Sequence, residues 1–249
     1  MGKYDGILIC SDIDGTLAYE SGKISSENLE AISCFMKEGG LFTISSGRSP
    51  DYIRNLHIPS NAPIIASNGA FIYDFDKGQY LSRLPISPSK LDITEKIKNK
   101  FSAEKIIIRF IYEDSWNLSY PEYDLDFLKN RAAVYKIAVH ADTEQLAEEI
   151  RDYAKSVSDL SVLRGWMTGV EITETDVSKG SGLRFLKDFY KDKIKTAIAV
   201  GDFENDIPIL KEADIAFAVD NAPDHIKEYA DKIAPANTSH AIKHIINSL

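Results

Sequence analysis

The chain has 249 residues, 44% of them apolar, with two cysteines and a formal net charge of −9 at pH 7. That length fits two modest domains with a sizeable core, and the acidic balance argues against a nucleic-acid partner, which calls for clustered Lys and Arg. Two cysteines make no disulfide framework, no apolar run approaches the roughly 20 residues of a membrane span, and residues 1–5 lack the apolar stretch of a signal peptide. The expectation is a reduced, cytoplasmic setting.

In chain order, the apolar run 7–10 reads as a buried strand. Ser25 or Ser26 caps a helix carrying Leu29, Ile32, Phe35 and Met36, stopped by Gly39-Gly40. Residues 41–44 form a second strand, Ser49-Pro50 opens a short helix with proline at its favoured first position, and 64–66 form a third strand. A proline-marked boundary comes next, at 84–88. The middle then reads as helix 89–101, strand 105–112, strand 134–139, helix 143–157, and strands 160–164 and 169–173. It is α+β in character, with βαβ-like pieces. The first pattern resumes with helix 179–190, strand 196–200, helix 206–213, strand 215–219 and helices 224–230 and 239–249. Short apolar strands alternating with helices indicate a parallel sheet. The expected fold is α/β: a Rossmann-like parallel-sheet core of residues 1–82 and 175–249, with an inserted α+β cap domain at 83–174.

In an open parallel sheet, ligands bind beyond the carboxyl ends of the strands. The residues there are Asp12 and Asp14, then Ser45-Ser46-Gly47-Arg48, then Ser67-Asn68-Gly69, and Gly201-Asp202 through Asn205-Asp206. Ser178-Lys179-Gly180-Ser181-Gly182 opens the helix before the 196–200 strand. Each has an ordinary alternative. Asp14-Gly15 alone suits a hairpin turn, Ser46-Gly47-Arg48 a strand-to-helix turn, Asn68-Gly69 a turn, and Asn205-Asp206 a helix cap. Lys179 is either a surface lysine or a cation facing the positive end of a helix dipole, a conflict that a bound anion would resolve. Gly180 and Gly182 weaken that same turn. His240 and His244 have a zinc-compatible spacing but no accompanying glutamate. Trp116 and Trp166 read as packing residues.

Asp12-Ile13-Asp14-Gly15-Thr16-Leu17, Ser46-Gly47-Arg48, Val177-Ser178-Lys179-Gly180 and Gly201-Asp202-x-x-Asn205-Asp206, in that order, resemble the four motifs of the haloacid dehalogenase-like phosphatases. The large insertion before the lysine is similar to the Cof-type, class IIB branch with its α/β cap. The resemblance implies a phosphatase that hydrolyses small phosphorylated metabolites, sugar phosphates foremost, through a phosphoaspartate. A phosphomutase or phosphotransferase with the same motifs, and a non-catalytic metabolite-binding module, are the alternatives. Asp12 would be the nucleophile, and Asp14 the acid that protonates the leaving oxygen and then activates water. Mg²⁺ would be held by Asp12, the backbone carbonyl of Asp14 and Asp202, with Asp206 supporting the metal's waters. Ser46, the backbone amides of Ile13 and Gly47, Lys179 and Asn205 would hold the phosphoryl oxygens, and Asn68 and Arg48 are candidate substrate contacts. Two residues apart on a strand, Asp12 and Asp14 should face the same side, where a divalent cation would neutralise both. The insert is expected to act as a movable lid that sets substrate choice, hinged at 84–86 and 173–176, where few apolar anchors occur.

Overall fold

The computed structural model describes residues 2–20, 22–112, 129–130 and 133–249. Apart from one short edge strand, every strand of its main sheet is an apolar run without exposed residues, as parallel strands covered on both faces require. The chain opens with β1 (Ile7–Ser11), α1 (Ser26–Lys37), β2 (Leu41–Ile44), α2 (Pro50–Asn55), β3 (Ile64–Ala66), β4 (Phe71–Asp74) and β5 (Gln79–Arg83). Ser25 caps α1 by accepting from the Asn28 N–H, and Ser49 caps α2 by accepting from the Tyr52 N–H, with Pro50 at the first position. After the insert come α5 (Lys179–Tyr190), β10 (Thr196–Gly201), α6 (Ile207–Glu212), β11 (Ile215–Val219), α7 (Asp224–Lys227), β12 (Lys232–Ala234) and α8 (Ala241–Asn247). Five of these strands pair, all parallel, in the order β12-β11-β10-β1-β2. A parallel bridge between Ser45 and Ile65 links β2 to β3, which begins a second sheet, β3-β4-β5.

The insert holds α3 (Ile93–Lys100), β6 (Ile106–Tyr112), β7 (Val134–Ala141), α4 (Glu144–Val157), β8 (Ser161–Trp166) and β9 (Gly169–Thr173). Its described strands pair antiparallel in the order β6-β7-β9-β8, so no parallel βαβ piece occurs among them. Its own core is built from side chains such as Phe110, Ile137, Val139, Ile150 and Ile172. The chain divides into two compact units, Met1–Ser82 with Lys179–Leu249, and Arg83–Ser178.

Some expectations change. The helix expected over 89–101 breaks into a 3₁₀ turn at Pro88–Lys90 and α3, and that over 206–213 into a 3₁₀ turn at Glu204–Asp206 and α6. His240 sits in the left-handed region, φ 57°, just outside α8, so it and His244 do not share a helix face. Trp166 packs against the His140 ring at 4.7 Å, while Trp116 lies outside the described residues. The segments expected to act as hinges each carry ties within the second unit. Ile86 is buried and its N–H donates to the Val134 carbonyl at 2.6 Å. Glu174 accepts from the Ser87 N–H at 2.5 Å and from Lys90 Nζ at 2.6 Å, and Thr173 Oγ1 donates to the Val177 carbonyl. The first segment is thus anchored by a buried apolar side chain and a backbone bond, the second by polar ties.

Candidate active site

β1 and β10 run side by side in register, Ser11 opposite Val200. The ladder extends one bond further, because the Asp12 N–H donates to the Val200 carbonyl at 2.9 Å. Asp12 is thereby delivered to the carboxyl end of the sheet with its side chain buried. Lys179, the first residue of α5, is fully buried, and its Nζ lies 2.7 Å from Asp12 Oδ1 and 2.6 Å from Asp206 Oδ1. The conflict between its charge and the helix dipole is therefore met by two carboxylates of the chain itself. Asp206 uses its other oxygen, Oδ2, to accept from the N–H groups of Asp202 and Phe203 at 3.0 and 3.1 Å. Asp202 Oδ1 accepts from the Thr16 hydroxyl at 2.7 Å. Gly15, at φ 87°, lets the β1 loop pass close by: a Cβ there would stand 2.3 Å from Asp202 Oδ2. Gly180 and Gly182 have a packing reason rather than an anion-related one, since a Cβ would meet the Pro208 carbonyl oxygen at 2.4 Å and Ile65 Cγ2 at 2.5 Å respectively.

Asp12, Asp202 and Asp206 each offer a carboxylate oxygen within 4.8 Å of the others. Three carboxylates thus gather around one ammonium. Burial first, and then the neighbouring Asp206, push Asp202 up to about 7. Burial likewise raises Asp12, against the pull of Lys179. Burial would lower Lys179, but Asp12 and Asp206 hold it above the usual lysine value. Hard oxygen donors carrying surplus negative charge are the donor set a divalent metal takes, so the site fits such an ion.

Asp14 does not join this cluster. Its carboxylate, 44% exposed, accepts from Arg48 Nε at 2.8 Å and from Arg48 Nη2 at 3.2 Å. The expectation that the two side chains face the same side is therefore corrected: the Asp12 carboxylate meets Lys179 and the Asp14 carboxylate meets Arg48. The chain turns after β1, with an isolated bridge from Asp14 to Ala18, so the strand alternation that would align the pair ends at Ser11.

The loop after β2 is tied to the loop after β3. Ser46, buried, donates its N–H to the Ile65 carbonyl and accepts at its own carbonyl from the Asn68 N–H at 3.0 Å, while the Arg48 carbonyl accepts from the Ser67 N–H at 2.8 Å. Ser67, Asn68 and Gly69 all have positive φ, 48°, 55° and 96°, and for the first two that is strained backbone held by these bonds. Asn205 Nδ2 donates to Asn68 Oδ1 at 3.4 Å. Ile13 is fully buried and Gly47 half-buried at the two strand ends. Ile13, Ser46, Gly47, Asn68 and Asn205 thus all lie at the carboxyl ends of the strands or in the loops beyond them. Thr16, Tyr52 and the close approach at Gly15 received no role from the sequence. A hydroxyl inside Asp14-Gly15-Thr16 was the available signal for the first.

A family model for haloacid dehalogenase-like hydrolases matches residues 9–246. The chain is 28% identical over 252 residues to 5-amino-6-(5-phospho-D-ribitylamino)uracil phosphatase YitU of Bacillus subtilis (strain 168), covering 92% of each chain. Among solved structures, a haloacid dehalogenase-like hydrolase from B. subtilis superposes with a TM-score of 0.83 at 21% identity, over 97% of this chain and 99% of that one. A sugar phosphatase of subclass IIB of the same superfamily superposes with a TM-score of 0.79 at 20% identity, over 97% and 98%. With the motif carboxylates and Lys179 assembled at the strand ends, the chain belongs to the haloacid dehalogenase-like hydrolases, and its enzymatic class is that of a phosphoric monoester hydrolase.

Proposed function

We propose that the protein is a cytoplasmic, Mg²⁺-dependent phosphatase of small phosphorylated metabolites, sugar phosphates foremost, working through a phosphoaspartate on Asp12. The observation that carries the reading is the cluster of Asp12, Asp202 and Asp206 around the buried Lys179. Lys179 holds Asp12 Oδ1, so the other carboxylate oxygen is the one left to attack phosphorus. Ser46, the amides of Ile13 and Gly47, Lys179 and Asn205 steady the phosphoryl oxygens. Asp14 gives a proton to the departing oxygen, then takes one from the water that hydrolyses the acyl phosphate. Phosphoryl transfer asks mostly for such positioning and charge stabilisation. Asp12, Asp202 and the backbone carbonyl of Asp14 would hold Mg²⁺, with Asp206 behind them. The ion supplies positive charge to the phosphoryl group and to the attacking carboxylate. The substrate class draws support from two relatives, one acting on a ribityl phosphate and one a sugar phosphatase. The insert is proposed to select among substrates.

The test is phosphate release from a panel of phosphorylated metabolites. Activity should vanish with EDTA and return with Mg²⁺. Asp12→Asn should abolish turnover and covalent labelling by phosphate, whereas Asp14→Asn should lose on the order of 10²–10⁴-fold with Mg²⁺ binding retained. Full activity without metal, or phosphate found on Asp14, would overturn this assignment.

A further inference from the structure

Arg48 stood in the sequence as a candidate substrate contact. Its side chain is committed elsewhere. Two of its nitrogens, Nε and Nη2, donate to the two oxygens of the same Asp14 carboxylate, a side-on fork that fixes the plane of the carboxyl group as well as its distance. The guanidinium carbon also lies 4.6 Å from the centre of the Tyr52 ring, one helical turn along in α2. The backbone of Arg48 is held from both sides. Its N–H donates to Ser46 Oγ at 3.2 Å, and its carbonyl accepts from the Ser67 N–H. Ser49 caps α2 through the Tyr52 N–H, so the ring and the guanidinium rise from one rigid strand-to-helix turn.

Stability does not account for this arrangement. The pair is about half-exposed, with side chains 40% and 44% accessible, and ion pairs of that kind contribute about 0–1 kcal/mol. What the fork adds is direction. The Asp14 carboxylate is not anchored inside the Asp12–Asp202–Asp206 cluster, so its orientation must come from elsewhere.

We infer that Arg48, braced by Tyr52, is a positioning residue that aims the Asp14 carboxyl group for its proton transfers. The inference rests on the phosphatase reading. In the first half-reaction the bond from phosphorus to the ester oxygen breaks, the bond from Asp12 to phosphorus forms, and the proton passes from Asp14 to the departing oxygen. In the second, water adds to phosphorus, Asp12 leaves, and Asp14 takes the water's proton. Arg48 itself exchanges nothing.

The readout is the dependence of kcat/KM on the leaving group. This quantity covers steps up to departure of the alcohol. An alkyl phosphate such as glycerol phosphate needs the proton, whereas p-nitrophenyl phosphate expels a stable phenolate without one. Arg48→Met should lower kcat/KM for the alkyl ester about tenfold or more and change that for the aryl ester less than about twofold. The aryl activity doubles as a check on folding. Arg48→Lys should recover only part, since an ammonium cannot make the fork, and Tyr52→Leu should lose in the same direction by less. In an Asp14→Asn background, Arg48→Met should cost nothing further on either ester. Equal losses on both esters, an additive loss in that background, or no loss at all would overturn the inference while leaving the phosphatase reading intact. If the unaltered enzyme with Mg²⁺ cleaves neither ester nor any metabolite tried, the phosphatase reading falls and this one with it.

Discussion

Both units bury a lysine among carboxylates, yet the two clusters differ in balance. In the insert, Lys136 on β7 meets Glu171 on β9, both nearly inaccessible to solvent, and Arg109 joins them in acting on the neighbouring His140, so the cations there are not outnumbered. In the core, one ammonium, Lys179, stands among Asp12, Asp202 and Asp206. A matched buried pair can be electrically complete and need serve only to hold strands together. A cluster with surplus buried carboxylate is expensive unless a further cation arrives. A buried salt bridge is therefore not in itself a functional signal. The charge left over is.

Removing each lysine sharpens that contrast. Lys179→Met should reduce kcat by about 10²–10³-fold, the scale seen for deleting a group that stabilises transition-state charge. Both Lys179→Met and Lys136→Met should cost about 3–5 kcal/mol of stability, because each strands buried carboxylate. Only the first should respond to metal: thermal unfolding of Lys179→Met should move upward with Mg²⁺ by more than the unaltered protein does, while Lys136→Met shows no such gain. If Mg²⁺ rescues the two variants alike, the distinction between surplus and balanced clusters is wrong.

A smaller effect is expected from Gly15→Ala. The new methyl would press on Asp202 Oδ2 at a backbone angle that alanine resists. The Mg²⁺ concentration for half-maximal activity should rise about tenfold, read by titrating the metal at saturating substrate. An unchanged titration would mean that the Gly15 loop and Asp202 are free to separate.

The smallest effect belongs to the insert. Burial would raise the Glu174 carboxyl, but bonds from Lys90, the Ser87 N–H and the Thr175 N–H hold it down at about 2, against an ordinary 4.5. A depressed acid contributes stability above its unfolded value and loses it as pH falls toward the folded one. Glu174→Gln should therefore be less stable than the unaltered protein at pH 7, with the gap closing between about pH 4.5 and 2. A gap that stays constant across that window, in melting temperatures taken along it, would remove Glu174 as an ionic tie.

Much of the core was legible because its signals are local. Apolar runs such as 7–10 and 196–200 name buried strands, and topology alone puts the residues just beyond each run at one sheet edge. Asp12, Asp202 and Asp206 converge for that reason, and Lys179 joins them from the start of the helix that leads to β10. The partner of Asp14 was not legible, because it depends on where a side chain turns after the strand ends, and Arg48 is 34 positions away. Gly180 and Gly182 were read as weaknesses in a helix because sequence reveals a missing side chain but not the neighbour, Pro208 or Ile65, that requires it to be missing. The 84–86 and 173–176 segments looked slack for a similar reason. Glu174 and Lys90 are polar in composition, and only their meeting, 84 positions apart, makes them a clasp.

That clasp bears on how the chain is born. The strand that leads into Asp12 is sandwiched between β2 and β10, and Ile7 pairs with Thr196, so a ribosome must deliver most of the chain before the central sheet can close. The insert waits for nothing of the kind: its strands β6 to β9 are consecutive in sequence and can pair while later residues are still being made. Once they have, Ser87 and Glu174 are hydrogen-bonded across 87 positions, and the loop that β1 and β10 must still close is roughly halved. A halving is worth only about 0.6 kcal/mol of chain entropy. Its larger consequence is order: the insert can assemble first and so bring residues 87 and 174 together before the core closes.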